Sequence, residues 1–188
     1  MRRLLISLHE IEWVTAESRF TEMNCSILIF IDYNQYKSDI QLSEVTMNLQ
    51  SLDTPALLID RIKLNVNIDE MAELCSIARV KLRPHIKTHK IGEIALTQNE
   101  LSGNGIAVAK LSEAEVMIDI GISDILIANQ IIGEKKIVRL SRLARSSSIK
   151  LCVDSKVGID QLERYLNTGD KKLELFIEID TGMKRAGL

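Results

Sequence analysis

Aromatic residues make up only 4% of this 188-residue chain. That is too few for a typical all-β sandwich, so any core must be packed from Leu, Ile, Val and Ala. Cysteine is scarce too: Cys25, Cys75 and Cys152 stand far apart without CxxC spacing, which argues against a zinc site and fits reduced thiols in a cytoplasmic protein. Neither sign of charge dominates. A net charge of −2 gives no reason to expect general binding to nucleic acid or membrane. Long apolar runs are missing from the start of the chain, where His9, Glu10 and Glu12 interrupt the opening apolar patch. The patch is therefore neither a complete secretory signal nor a membrane span.

What is present suits a soluble α/β protein: 46% hydrophobic and 27% charged residues over a length sufficient for one good core. Residues 1–46 form the least coherent part. Cys25 to Tyr33 reads equally as a strand or a buried helical piece, and periodicity does not choose between them. Met47 precedes the point where the pattern turns regular, so residues 1–46 are expected to be an extension of uncertain structure and Met47 the biological start. From Leu52 the rhythm is clear. A strand at Ala56 to Ile59 leads into a helix from Arg61 to Arg79, with Ile62, Val66, Met71, Leu74 and Ala78 expected on its buried face. A short strand from Val80 to Ile86 follows, then a helix from Ile91 to Leu101 and a strand from Gly105 to Ala109. Ser112 and Glu115 have the spacing of a capping box for a helix through Ile120, which Gly121 closes. Strands at Asp124 to Ala128, Lys150 to Val153 and Leu173 to Ile179 alternate with helices at Glu134 to Arg145 and Lys156 to Leu166. Such alternation implies βαβ units and a parallel sheet, and apolar Ile125 to Ile127 and Leu175 to Ile177 suit burial on both faces.

Ligands of parallel α/β sheets gather at the carboxyl ends of the strands. Those ends carry Lys87 and His89, Lys110, Asn129 and Gln130, Asp154 and Ser155, then Glu178, Asp180, Lys184 and Arg185. No GxGxxG or GxxxxGK[ST] motif follows a strand, so a dinucleotide or P-loop site is unsupported. The densest chemistry is Arg83-Pro84-His85-Ile86-Lys87-Thr88-His89-Lys90. On a strand, Arg83, His85 and Lys87 share one face, and three basic groups on a buried face call for an anionic partner. Two blander readings carry less weight. A metal pair from His85 and His89 would need helical i, i+4 geometry, and a nucleic-acid patch would need interleaved aromatic residues. Asn129 and Asp154 fit helix caps as well as they fit site residues, and Lys110 and Lys184 read as solvated charges.

Three separated segments, LDTPALLID, RPHIKTHK and EIDTGMKRAG, resemble the pyridoxal-phosphate enzymes of the alanine racemase-like fold, within them the D-threonine aldolase and D-serine dehydratase branch. The resemblance runs from about Met47 to Leu188. It implies the amino-terminal portion of a (β/α)8 barrel with about five of the eight strands, and places the Ala56 to Ile59 strand in a separate β domain. It implies pyridoxal 5'-phosphate as cofactor, with Lys87 the residue that would carry it covalently; Arg83, His85 and Lys90 around Lys87 favour a neutral, nucleophilic amine. Arg185 would approach the cofactor's phenolic oxygen, with His85 and His89 as orienters or proton carriers. Arg83, Asn129 and Asp154 are further cofactor-binding candidates. The substrate implied is a small β-hydroxy D-amino acid, cleaved or dehydrated. In the full-length family a divalent metal assists, its ligands lying outside the portion matched here. The expectation is thus a lyase fragment; the alternative is a non-catalytic pyridoxal-phosphate carrier or interaction module. Five strands do not close a barrel, so an apolar edge at Leu173 to Ile179 and self-association through it are also expected.

Overall fold

The computed structural model describes residues 13–14, 28–31, 40–42, 45–47, 53, 55–169 and 171–188. The chain divides into two units, residues 1–74 and 75–188. In the first, β1 (Trp13–Val14) pairs antiparallel and β2 (Leu28–Ile31) pairs parallel with β5 (Ala56–Asp60). A separate pair joins β3 (Ile40–Leu42) to β4 (Val45–Met47). As expected, β5 pairs outside the larger parallel sheet. Most of residues 1–46, including most of the Cys25 to Tyr33 run, lie outside the described residues.

Helix α1 (Arg61–Ile77) follows β5 directly. Its buried positions are Leu64, Ile68 and Cys75, whereas Val66 and Leu74 are exposed, so the predicted stripe is corrected. Apolar residues lie all around this helix, and spacing alone fits more than one stripe.

The second unit carries the rhythm read from the sequence: α2 (Gly92–Ser102), β6 (Ile106–Val108), α3 (Leu111–Asp119), β7 (Asp124–Ile127), α4 (Glu134–Ser146), β8 (Ser148–Val153), α5 (Lys156–Tyr165) and β9 (Glu174–Ile177). The strands pair in sequential order β6-β7-β8-β9, all parallel. Each strand is laid beside the one before it by a helical crossover. That is the winding of a βα barrel rather than of a doubly wound sheet, whose strand order reverses. Register aligns the core in rows across the sheet. Ile106, Ile125 and Ile149 are partners in turn, as are Val108, Ile127 and Leu151, and all six are buried. Helices cover this face through stripes such as Ile137, Leu140, Ser141 and Ala144 of α4, whose 3–4–7 spacing is one side of a helix. Each fully buried Ile or Leu contributes roughly 1.5–3 kcal/mol.

Three local readings change. Residues 80–84 form no regular strand; His85 makes a single parallel bridge to Ala107, and Ile86–Thr88 turn into a 3-10 helix. Pro84 brings no N–H to a ladder, although its carbonyl accepts from the Ala107 N–H at 2.7 Å. The capping box does not form. Helix α3 starts one residue before Ser112 with no side-chain cap; instead the Glu113 carboxylate accepts from the Ala109 N–H at 2.8 Å, and Glu115 pairs with Arg139. Strand β9 is not buried on both faces: Leu175, Phe176 and Ile177 are exposed, and β9 stands last in the strand order.

Candidate functional site

The bridge from His85 to Ala107 sets the level of the whole segment 83–90 against the sheet. Residues before it face the amino ends of the strands and residues after it the carboxyl ends. Arg83 falls on the amino side. Its Nη1 bonds Asp124 Oδ1 at 2.7 Å and the Ile106 carbonyl at 3.3 Å, and both residues begin strands. Lys150 Nζ reaches the same Asp124 oxygen at 2.7 Å and lies 4.0 Å from Glu174. Gly105 makes the cluster possible: a Cβ there would stand 2.2 Å from the Asp124 carbonyl oxygen and 2.6 Å from Arg83 Nη1, on a backbone with φ +71°. Partial burial alone would raise the Asp124 carboxyl, but its bonds to Arg83 and Lys150 outweigh that and hold it below the ordinary value. The expected row of Arg83, His85 and Lys87 on one strand face is therefore corrected. The anion for Arg83 is Asp124 of this same chain, which the sequence reading passed over because it opens a strand.

Lys87 falls on the carboxyl side, in the middle of the 3-10 turn, and is exposed. The turn is built from the flanking histidines. His85 Nδ1 accepts from the Lys87 N–H at 3.3 Å, and His89 Nδ1 accepts from the Ile91 N–H at 3.0 Å. The Lys90 N–H donates to the Ile86 carbonyl at 2.8 Å, and Ile86, fully buried, anchors the turn in the core. Lys90 points its charge elsewhere, toward Glu113 at 3.4 Å. So the cations expected to crowd Lys87 are dispersed: Arg83 goes to Asp124 and Lys90 to Glu113.

The other carboxyl-end candidates surround the same rim. Asn129, just past β7, donates to the Ala109 carbonyl at 3.2 Å and accepts from the Gln130 N–H at 3.0 Å, tying the ends of β6 and β7 together. Gln130 donates to Glu178 beyond β9 at 2.6 Å. Neither Asn129 nor Asp154 is a helix cap, because Gly133 precedes α4 and Ser155 caps α5 through the Gly158 N–H. Asp154 lies half-buried at the end of β8. Burial and the nearby Glu178 carboxylate push the Cys152 thiol up, which disfavours the thiolate. Arg185 is exposed in a loop that folds back on β9, with the Leu188 N–H on the Glu178 carbonyl at 2.9 Å and the Asp180 N–H on the Leu188 carbonyl at 3.0 Å. Inside that loop the Gly182 N–H, with those of Lys184 and Met183, holds the Asp180 carboxyl below its usual value. Lys87, Asn129, Asp154 and Arg185 thus stand at one end of the sheet and Arg83 at the other.

Two contributors escaped the sequence reading. Gln98 is buried in α2 and faces His89 Nε2 at 3.2 Å; its signal was a polar residue four places after Ile94, on the buried stripe. Glu113 supports both the β6 end and Lys90.

The residues fit a carbonyl cofactor that attaches to an amine. Of the cations in the 83–90 segment, Arg83 and Lys90 are ion-paired, whereas the Lys87 amine has no such carboxylate and stands exposed on the 3-10 turn. Residues 59–188 match the family described as alanine racemase, N-terminal domain. The chain is 36% identical over 140 residues to D-threonine aldolase from Arthrobacter sp, covering 74% of this chain and 37% of that protein. It is 34% identical to D-threo-3-hydroxyaspartate dehydratase from Delftia sp., with 74% and 37% coverage. The crystal structure of D-threonine aldolase from Filomicrobium marinum superimposes with a TM-score of 0.71 at 36% identity, covering 74% of this chain and 38% of that one. The chain therefore spans well under half the length of the relatives it matches.

Proposed function

We propose a function from one premise: the chain belongs to the alanine racemase N-terminal domain family. It carries the lysine-bearing part of a pyridoxal-phosphate-dependent lyase for small β-hydroxy D-amino acids, and Lys87 is the attachment residue. One observation carries this reading: an exposed lysine free of a carboxylate partner, on a braced turn at the carboxyl end of a parallel sheet, while its basic neighbours are neutralised elsewhere.

Each residue has a part that its placement supports. Lys87 supplies the amine for covalent attachment. Arg185 offers a fixed positive charge to the phenolic oxygen from the loop beyond β9. Asn129 and Asp154 furnish polar groups on the rim, and Asn129, held by Ala109 and Gln130, keeps two strand ends at a constant separation. Arg83 belongs to the opposite end and is assigned to the sheet's framework instead of to the cofactor. When bound, the cofactor supplies an electron sink for charge developing at the substrate's Cα. The two named relatives divide between aldol cleavage and dehydration; this chain is assigned to the lyase class that includes both, in a cytoplasmic setting. The divalent metal that the resemblance implies is assigned to ligands outside the portion matched here. The exposed β9 edge is assigned to association, with a second copy or with a complementing chain.

Incubating the chain with pyridoxal phosphate, reducing with borohydride and mapping the modified peptide tests the premise. A stable adduct on Lys87, absent in Lys87→Ala, is expected. A label on another lysine, or one that survives in Lys87→Ala, would overturn it. An adduct at Lys87 without conversion of D-threonine or D-serine is expected both of a lyase fragment that is inactive alone and of a non-catalytic carrier; turnover regained with a complementing chain is the result that a carrier would not give.

A further inference from the structure

We infer that His85 and His89 are positioning residues: a pair of imidazole clips, each holding a backbone N–H two residues ahead, that fix the turn presenting Lys87. The inference deepens the function proposed above and rests on Lys87 being the attachment residue. The same geometry occurs twice. His85 Nδ1 takes the Lys87 N–H at 3.3 Å and His89 Nδ1 takes the Ile91 N–H at 3.0 Å, so the clips bracket Lys87 on both sides.

A ring nitrogen that accepts an N–H bears no hydrogen itself, so the neutral ring must carry its proton on Nε2. For His89 this proton then points to Gln98 Oε1, 3.2 Å away. Gln98 is only 5% exposed, and α2 holds it in place. Both nitrogens of His89 are thereby engaged, one on the turn and one on a helix. A ring so occupied is assigned to holding the turn instead of to carrying a proton.

The turn needs such bracing. Lys90 follows His89 with φ +57°, a left-handed conformation that a non-glycine residue adopts only at a cost. Its N–H bond to the Ile86 carbonyl and its ion pair with Glu113 hold one side of this kink. The His89 clip onto Ile91 holds the other.

Protonating His89 would place a hydrogen on Nδ1 facing the Ile91 N–H, and two donors repel. Burial pushes the His89 imidazolium to ionise below its ordinary value, with the bond to Gln98 opposing in part. The charged groups nearby are Lys87 and Lys90 on its own segment, Glu93 on α2, and Glu113 on α3, which Lys90 and the Ala109 N–H already engage. For a histidine whose value is lowered on folding, the clip's contribution is whole above about pH 6.5 and is lost as pH falls toward the folded value.

The test uses the full 188-residue chain, nitrogen-15 labelled. Ring nitrogen shifts of His89 report the tautomer, amide exchange at Ile91 reports the clip, and borohydride trapping reports the rate of pyridoxal phosphate attachment at Lys87. Expected are the Nε2–H tautomer, Ile91 protection that falls on acidification, and loss of that protection at every pH in His89→Ala, with attachment slowed about tenfold. His89→Asn keeps a side-chain acceptor for the amide two residues on; it should restore Ile91 protection and remove its acid sensitivity. An Nδ1–H tautomer in the unmutated chain, or unchanged Ile91 protection in His89→Ala, would overturn the inference. If no form attaches pyridoxal phosphate at Lys87, the functional reading fails, and the tautomer and exchange data still decide the clip.

Discussion

The two ends of the same parallel strands have been put to opposite uses. At the amino end, Arg83, Asp124 and Lys150 are locked in a partly buried ion cluster with Gly105 pressed beneath it. At the carboxyl end, Lys87, Asn129, Asp154 and Arg185 stand around a rim whose bonds run mainly to backbone and side-chain amides. Charge at one end is cancelled and at the other is left available. Stability and chemistry are thereby separated along about three residues of strand, which lets the rim vary while the floor keeps register.

The sharpest way to break this contrast is Gly105→Ala. The added Cβ would overlap the Asp124 carbonyl oxygen on a left-handed backbone, so a loss of about 3 kcal/mol or more is expected in urea unfolding. A cost under about 1 kcal/mol would mean that the floor is not packed as described. Next comes Asp124→Asn, which strips the carboxylate from Arg83 and Lys150. Asp124 is 39% exposed, so water screens the cluster and the cost should be about 1–2 kcal/mol instead of the larger penalty of a fully buried pair. The sign with pH follows from its lowered carboxyl: its stabilisation is whole above about pH 4 and is lost as pH falls through the folded value. The acid limb of the unfolding curve should accordingly be shallower in Asp124→Asn, and an unchanged limb would assign the acid sensitivity elsewhere. The smallest effect is expected at the carboxyl end of the edge strand. Ile177 is 66% exposed, so Ile177→Lys should change stability by no more than about 0.5 kcal/mol while lowering the sedimentation-averaged mass if copies associate through β9. A large loss of stability there would show that β9 is buried by its own chain.

The local rhythm of the second unit was legible because it rests on short-range rules. Gly121 with φ +102° ends α3 where the pattern places it, and the alternation of apolar strands with amphipathic helices survives nearly residue for residue. The rim candidates were legible for the same reason, since a strand's carboxyl end is a sequence position once the strand is known. Segment 80–86 was misread because apolar alternation does not reveal whether a partner strand exists along its whole length. Only His85 finds one there, and past it the histidine side chains capture the backbone into a turn. The α3 cap was misread because Glu113 had a better partner in the Ala109 N–H than a reciprocal box could offer.

From α2 onward the sequence by itself determined the elements, their order, and before them the Lys-bearing motif, because backbone sterics, side-chain periodicity and residue chemistry act over a few residues. Only the tertiary structure decided which way each basic group of that motif faces. Arg83 meets Asp124 across 41 positions of sequence, and Lys90 meets Glu113 across an intervening helix and strand. Pairings at such distances depend on register between strands, which no local pattern encodes. What looked like one run of positive charge is therefore two neutralised cations and, between them, one available lysine on a braced turn.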